Sequence, residues 1–219
     1  SDERKRITRR SFLGRAATGI CGAGLGLSGA GRALGGGADP EQVETPPRIR
    51  SYRPLGSTGW KVSDISFGNA MMQDPAQLEY AIERGINYVD TARQYFDMEL
   101  VIGKLFPAKR DKIFVTTKLM PELFTPQTTA EQIAAAIEES LGRLNTDYID
   151  CCLLHSIGDP NLGGIEKIQN PAVTEAFARA KQAGKIRAWG ASSHGPKMIE
   201  EFDWLLDNTD IDMIMPGMN

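Results

Sequence analysis

The chain has 219 residues, 41% of them apolar and 24% charged, with a formal net charge of −3. That is an ordinary soluble globular composition, long enough for one large domain with a substantial core. The slightly acidic balance, and the lack of any basic run after residue 50, argue against a nucleic-acid surface.

The first 39 residues differ from the rest. They hold seven of the 25 basic residues and three of the 28 acidic ones, leaving 18 basic against 25 acidic beyond them. A basic head is followed by the uncharged stretch "AATGICGAGLGLSGAG" (16–31) and a small-residue tail, the layout of a secretory signal. The uncharged stretch is too short and too weakly apolar for a stable membrane span, which needs about 20 residues. "TRRSFLG" (8–14) resembles a twin-arginine export signal. The expectation is a disordered signal segment over 1–39, a cleavage region around "GRALGGGA" (31–38), export by the twin-arginine machinery, and a periplasmic location. Serine at position 1 and the apolar run "IDMIMPGMN" at the other end suggest an incomplete chain.

"PEQVETPPRI" (40–49) reads as an extended linker because of its tandem prolines. "YRPLGSTGWKVS" (52–63) sets Gly56 and Gly59 between two short extended pieces and predicts a hairpin. From residue 64 strands and helices alternate. "DISFGNA" reads as a strand ending near Gly68, and 75–85 as a helix closed by Gly85. Strands follow at 86–90, 112–118, 148–155, 185–193 and 211–215. Helices fall between them at 98–106, 129–144, 171–184 and 196–206. Adjacent Cys151 and Cys152 lie in a strand, where neighbours face opposite sides, so both read as core. No cysteine or histidine spacing suggests a metal site or a disulfide framework.

Six strands separated by five helices require a parallel sheet covered by helices. A doubly wound nucleotide fold and a (β/α)₈ barrel both satisfy this. The first βα turn, "FGNAMM", lacks the G-x-G-x-x-G pattern of the doubly wound fold, which favours the barrel. In such a barrel, functional groups project from the C-terminal strand ends. Those ends carry Asp90 with Tyr95 in the loop beyond it, Lys118, His155, and the pair Ser192 and Ser193. A lone lysine or histidine at a strand end is more often a solvated or structural residue; several at consecutive strand ends are harder to dismiss.

These same residues carry a family resemblance. "YRPLGSTGWKVSDISFGNA", "GINYVDTARQY", "IGKLF...RDKIFVTTK", "SLGRLNTDYIDCCLLH" and "GKIRAWGASS" look like successive signature blocks of the aldo-keto reductase family. The resemblance covers 52 to about 215 and identifies 50–219 as the N-terminal part of an α/β TIM barrel, with about six of eight strands. It implies a catalytic set of Asp90, Tyr95, Lys118 and His155. Tyr95 would donate a proton to the carbonyl oxygen of an aldehyde or ketone, while a nicotinamide cofactor delivers hydride. Lys118 would lower the phenol's pKa, Asp90 would hold Lys118, and His155 would orient the carbonyl. Gly68, Asn69, Asp90, Ser192 and Ser193 would line the cofactor path. The family more often has Asn at position 193, and Met215 stands where many members have Gln. The cofactor implied is NADP, with NAD the alternative, since the discriminating loop lies beyond Asn219. The expectation is that these 219 residues alone are not a competent enzyme. The rival reading is a non-catalytic cofactor-binding or regulatory barrel. Trp60, Met71, Met72 and Met120 are placed near the rim as candidates for an apolar pocket.

Overall fold

The computed structural model describes residues 46–219 except 57, 69–73, 107, 160–164, 218 and 219. The signal segment, linker residues 40–45, Asn69, Met71 and Met72 lie outside the described residues. Two short strands, β1 (Tyr52–Pro54) and β2 (Lys61–Ser63), pair antiparallel with Tyr52 opposite Ser63, the hairpin expected from the glycine spacing. Six further strands form a parallel sheet: β3 (Phe67–Gly68), β4 (Tyr88–Asp90), β5 (Phe114–Leu119), β6 (Ile149–Leu154), β7 (Ile186–Ser193) and β8 (Met213–Pro216). Between them run α1 (Pro75–Glu83), α2 (Met98–Gly103), α3 (Ala130–Leu144), the short α4 (Glu166–Gln169), α5 (Pro171–Gln182) and α6 (Met198–Asn208).

The spatial order of the large sheet is its chain order, β3 to β8. A doubly wound sheet reverses its strand order once, at the crevice where its ligand binds. Here every crossover steps the same way, and a sheet wound in one direction curls upon itself. The fold is α/β, a parallel six-stranded part of a (β/α)₈ barrel. Among the described residues, β3 and β8 are its outer strands.

Local chemistry sets the helices. In α3, Ile133, Ile137, Leu141 and Leu144 recur on one buried face. Thr129 opens it with a reciprocal capping box to Gln132, which satisfies donors that would otherwise be orphaned. Asn145, in the left-handed region at φ 51°, closes it. After α1, Gly85 adopts φ +99°, and a Cβ there would lie 2.6 Å from the Tyr52 hydroxyl. That hydroxyl donates to the Gly85 carbonyl at 2.7 Å, fastening the hairpin to the loop before β4.

Some boundaries differ from expectation. The strand expected over 64–70 shrinks to Phe67–Gly68 in the described residues, because the Ser63 hydroxyl donates to the Ile65 carbonyl and folds that piece into a local turn. The helix expected to reach 106 stops at Gly103. Pro107 disfavours helical backbone in the residue before it. The turn of helix at Glu166–Gln169 carries no periodic pattern long enough to be read.

Strand alternation divides the core in two. Val115, Leu119, Cys152, Leu154, Trp189 and Ala191 pack outward against helix residues such as Ile133, Ile137 and Phe177. Phe114, Cys151, Leu153 and Ala188 point inward and meet Val62, Leu55 and Trp60 from the hairpin. Cys151 and Cys152 thus face opposite sides, and both are buried free thiols.

One placement is corrected here. Trp60 packs edge-on against Phe114, with ring centroids 5.4 Å apart. Phe114 begins β5, about 13 Å along the strand from Lys118 at 3.3 Å per residue. The hairpin therefore closes the end of the sheet away from the catalytic candidates, and Trp60 is a plug there rather than a rim residue. The same end holds an ionic network centred on the buried Asp150. Asp150 accepts from Arg110 at 2.7 Å, Arg187 at 3.0 Å and the Val115 amide at 3.0 Å. Polar structure at this end of a barrel serves stability.

Candidate active site

Three neighbouring strands bring polar groups to the opposite end. Asp90 ends β4, Lys118 is the last but one residue of β5, and His155 follows β6 directly. Register sets Asp90 beside Thr116 and Lys118 beside Leu153. Because Phe114 and Leu153 point inward, period-two alternation turns Lys118 and His155 to the inner face as well.

Lys118 Nζ donates to both carboxylate oxygens of Asp90 at 2.8 Å and to the Thr91 carbonyl at 2.8 Å. An ammonium has three donors, so this one is saturated. It is only 2% exposed. Tyr95 lies over the pair: its ring centroid is 5.2 Å from Lys118 Nζ and 5.6 Å from the His155 ring, which it meets edge-on at 81°. Backbone bonds from Thr91 N to Thr116 O and from Arg93 N to Lys118 O, each 2.8 Å, tie the loop bearing Tyr95 to β5. The four residues singled out in the sequence are thus brought together at one end of the sheet.

Burial governs their protonation. It raises the Asp90 carboxyl and lowers the Lys118 ammonium, while their mutual attraction opposes both shifts. Tyr95 is raised above the ordinary phenol value, first by burial and then by the Asp90 charge. This reverses the expectation that Lys118 would lower it. All three Lys118 protons are engaged by Asp90 and Thr91, so the phenol faces a compensated pair rather than a bare cation. His155 is lowered to about 4 by burial, then by Lys118 and His194, and is neutral at pH 7.

The lowered imidazole has a consequence for acid stability. Between about pH 6.5 and 4 the unfolded chain binds the proton that folded His155 refuses, so stability falls as pH falls through that window. The loss amounts to roughly 3 kcal/mol by pH 4 at 1.36 kcal/mol per pKa unit. Urea unfolding at pH 7 and pH 4 should show the wild type losing more stability than His155→Asn; equal losses in the two proteins would contradict this assignment.

The cofactor candidates divide. Gly68 ends β3, and among the described residues nothing lies within 4 Å of where its Cβ would stand. Ser192 Oγ accepts from the Ser156 amide at 3.2 Å and donates to the Leu154 carbonyl at 3.4 Å. Ser193 is 1% exposed, and its hydroxyl gathers the amides of Gly158 at 3.1 Å and Gly195 at 3.4 Å. Both serines therefore hold the loop after His155 to the end of β7. Met215 pairs in register with Ser192 and packs on the inner cluster. Met120, just past β5, is partly exposed at the same end as Lys118.

Two contributors escaped the sequence reading. Thr91 acts through its carbonyl, which any residue could supply, so no side-chain signal existed. His194 Nε2 lies 3.3 Å from the Ser156 hydroxyl and places a second imidazole near His155. Its signal was available: the chain has only two histidines, and this one follows a strand end.

Comparison with known proteins agrees with the geometry. The model of the Aldo/keto reductase family matches residues 57–219. The uncharacterized oxidoreductase YqkF of Bacillus subtilis is 33% identical over 163 residues, covering 68% of this chain and 51% of its own. The holo form of aldo-keto reductase AKR11C1 from Bacillus halodurans superposes with a TM-score of 0.62 at 31% identity, over 76% of this chain and 57% of that one. An aldo-keto reductase from Klebsiella pneumoniae in complex with NADPH gives a TM-score of 0.55 at 30% identity, over 68% of this chain and 51% of that one. The chain spans about half the length of the curated relatives it matches.

Proposed function

Because the chain belongs to the aldo/keto reductase family, we propose that it serves the NADPH-dependent reduction of an aldehyde or ketone, with Tyr95 as the proton donor. The observation that carries this reading is the convergence of Asp90, Lys118, Tyr95 and His155. The Klebsiella pneumoniae relative in complex with NADPH supports the choice of cofactor.

Residues at this end fit a flat polar ligand. Among the described residues, His155 Nδ1 is buried with no hydrogen-bond partner, and nothing lies within 4 Å of where a Cβ on Gly68 would stand. Gly68, Asp90 and Ser192 would hold the cofactor, with Ser192 keeping a second lone pair for an amide donor. Ser193 would act by fixing the loop at Gly158 and Gly195. When bound, the reduced nicotinamide supplies the hydride that no side chain can.

The chain's own residues then manage the proton. The raised phenol of Tyr95 stays protonated at neutral pH, so it is present as a donor before reaction. Negative charge growing on the carbonyl oxygen makes that oxygen the stronger base, and the proton moves to it. The tyrosinate left behind would lie beside the Lys118–Asp90 pair, whose cation is 5.2 Å from the ring centroid, and the attraction of Lys118 for it would be partly offset by Asp90. Asp90 keeps Lys118 charged and aimed. Neutral His155 offers an N–H to the carbonyl oxygen and orients it without competing as an acid. The partly exposed Met120 offers the substrate an apolar contact.

Transfer of label tests the reading. NADPH deuterated at its transferable position, incubated with the intact protein and an aromatic aldehyde, should give alcohol labelled on the carbinol carbon. Cofactor binding without turnover would favour the non-catalytic alternative.

A further inference from the structure

We propose that Glu99 and Arg143 form a clamp, buried at Glu99 and partly exposed at Arg143, that positions Tyr95 against Lys118, through a route separate from the Asp90 ion pair. This rests on the reductase reading above. Glu99 lies on α2, on the face that also buries Ile102 one turn later, and is 1% exposed. A carboxylate on an apolar face is unfavourable unless fully partnered. Here Oε1 accepts from the Thr117 hydroxyl at 2.7 Å and Oε2 from Arg143 Nε at 3.1 Å. Arg143 then donates through Nη2 to the carbonyl of Phe96 at 2.7 Å.

Both ends of this chain of bonds adjoin a catalytic candidate. Thr117 precedes Lys118 in β5, and Phe96 follows Tyr95. The turn at Phe96 needs holding. Its φ of 51° is one that a bulky residue adopts rarely, and its side chain is 80% exposed, so packing does not fix it. Strained backbone persists where its surroundings over-determine it, and Arg143 supplies that constraint. Arg143 is itself held by the approach of two helices: a Cβ on Gly103 would lie 2.5 Å from the Arg143 carbonyl, so glycine lets α2 close on α3. A pair that served only helix packing would have no need of the bond to Phe96. The Thr117–Glu99–Arg143–Phe96 relay runs through the helix side of the wall, while the reacting groups stand on the inner face.

The test uses the intact protein. Arg143→Met is expected to lower kcat per folded molecule by about 10- to 100-fold, the scale of a small misplacement of a reacting group. KM for aldehyde and affinity for NADPH should stay nearly unchanged. Thr117→Val, which removes one link, is expected to lower kcat more mildly, and Thr117→Ser, which restores the hydroxyl, to recover it. Should Arg143→Met fail to fold, Arg143→Lys reads the same loss, because a single ammonium nitrogen does not reproduce the separated Nε and Nη2 donors that reach Glu99 and Phe96 at once. Unchanged kcat per folded molecule in the Arg143 and Thr117 variants, with Tyr95→Phe inactive, overturns the clamp and leaves the reductase reading standing. Full activity in Tyr95→Phe overturns both.

Discussion

Replacing Tyr95 by phenylalanine in the intact protein is expected to lower kcat by about 10²- to 10⁴-fold, the usual contribution of a positioned general acid. The change removes one oxygen and keeps the ring. Phenylalanine preserves the edge-on contact with His155 and the cation–ring approach of Lys118, both of which involve the ring rather than the hydroxyl. Folding and cofactor affinity should therefore change little, and the loss should fall on turnover. Neutral His155 is a poor substitute, because its last proton leaves far above the physiological range. Turnover equal to that of the wild type would move the acid to another group and remove the reason for the cluster's geometry.

The second large effect concerns stability. Asp90→Ala is expected to cost about 3–5 kcal/mol, because it strands a buried ammonium with the Thr91 carbonyl as its remaining acceptor. Lys118→Met should cost less. The Asp90 side chain is 20% exposed, and its carboxyl is already raised by burial, so it can meet water or take a proton. The double variant should recover part of what Asp90→Ala loses, since it leaves no orphaned charge. Urea unfolding of the three variants at pH 7 gives the order directly. If Lys118→Met proved the more damaging, the ammonium would not be the group whose burial governs the site.

The site was legible in the sequence to an unusual degree, and the reason is geometric. A parallel strand that ends in a polar residue announces which end of the sheet that residue occupies, so Asp90, Lys118 and His155 could be placed together from their strand runs alone. The hairpin and the alternation of strand and helix were legible for the same reason. What escaped was whatever depends on partners distant in the chain. Trp60 was set at the wrong end because the hairpin's docking side is written in its contact with Phe114, not in its own pattern. The direction of the Tyr95 shift was missed because it is set by burial and by the Asp90 charge, which depend on how the loop folds over the strand ends. Ser192 and Ser193 looked equivalent in sequence, yet alternation gives them different faces, and Ser193 closes a loop from inside the wall. Glu99 left one signal, a charge at a core-facing position of α2, but its meaning required Arg143, 44 residues away.

The most direct test of the central claim follows the hydride itself. The intact protein is mixed with NADPH deuterated at the transferable position and an excess of aromatic aldehyde in ordinary water, and the alcohol is analysed by mass and by proton resonance. One deuterium on the carbinol carbon and an exchangeable hydrogen on oxygen are expected, because in the proposed reaction carbon takes hydride from the cofactor and oxygen takes its proton from Tyr95, which exchanges with solvent. Alcohol without deuterium, or oxidation of NADPH with no alcohol formed, would contradict the assignment of this site to carbonyl reduction.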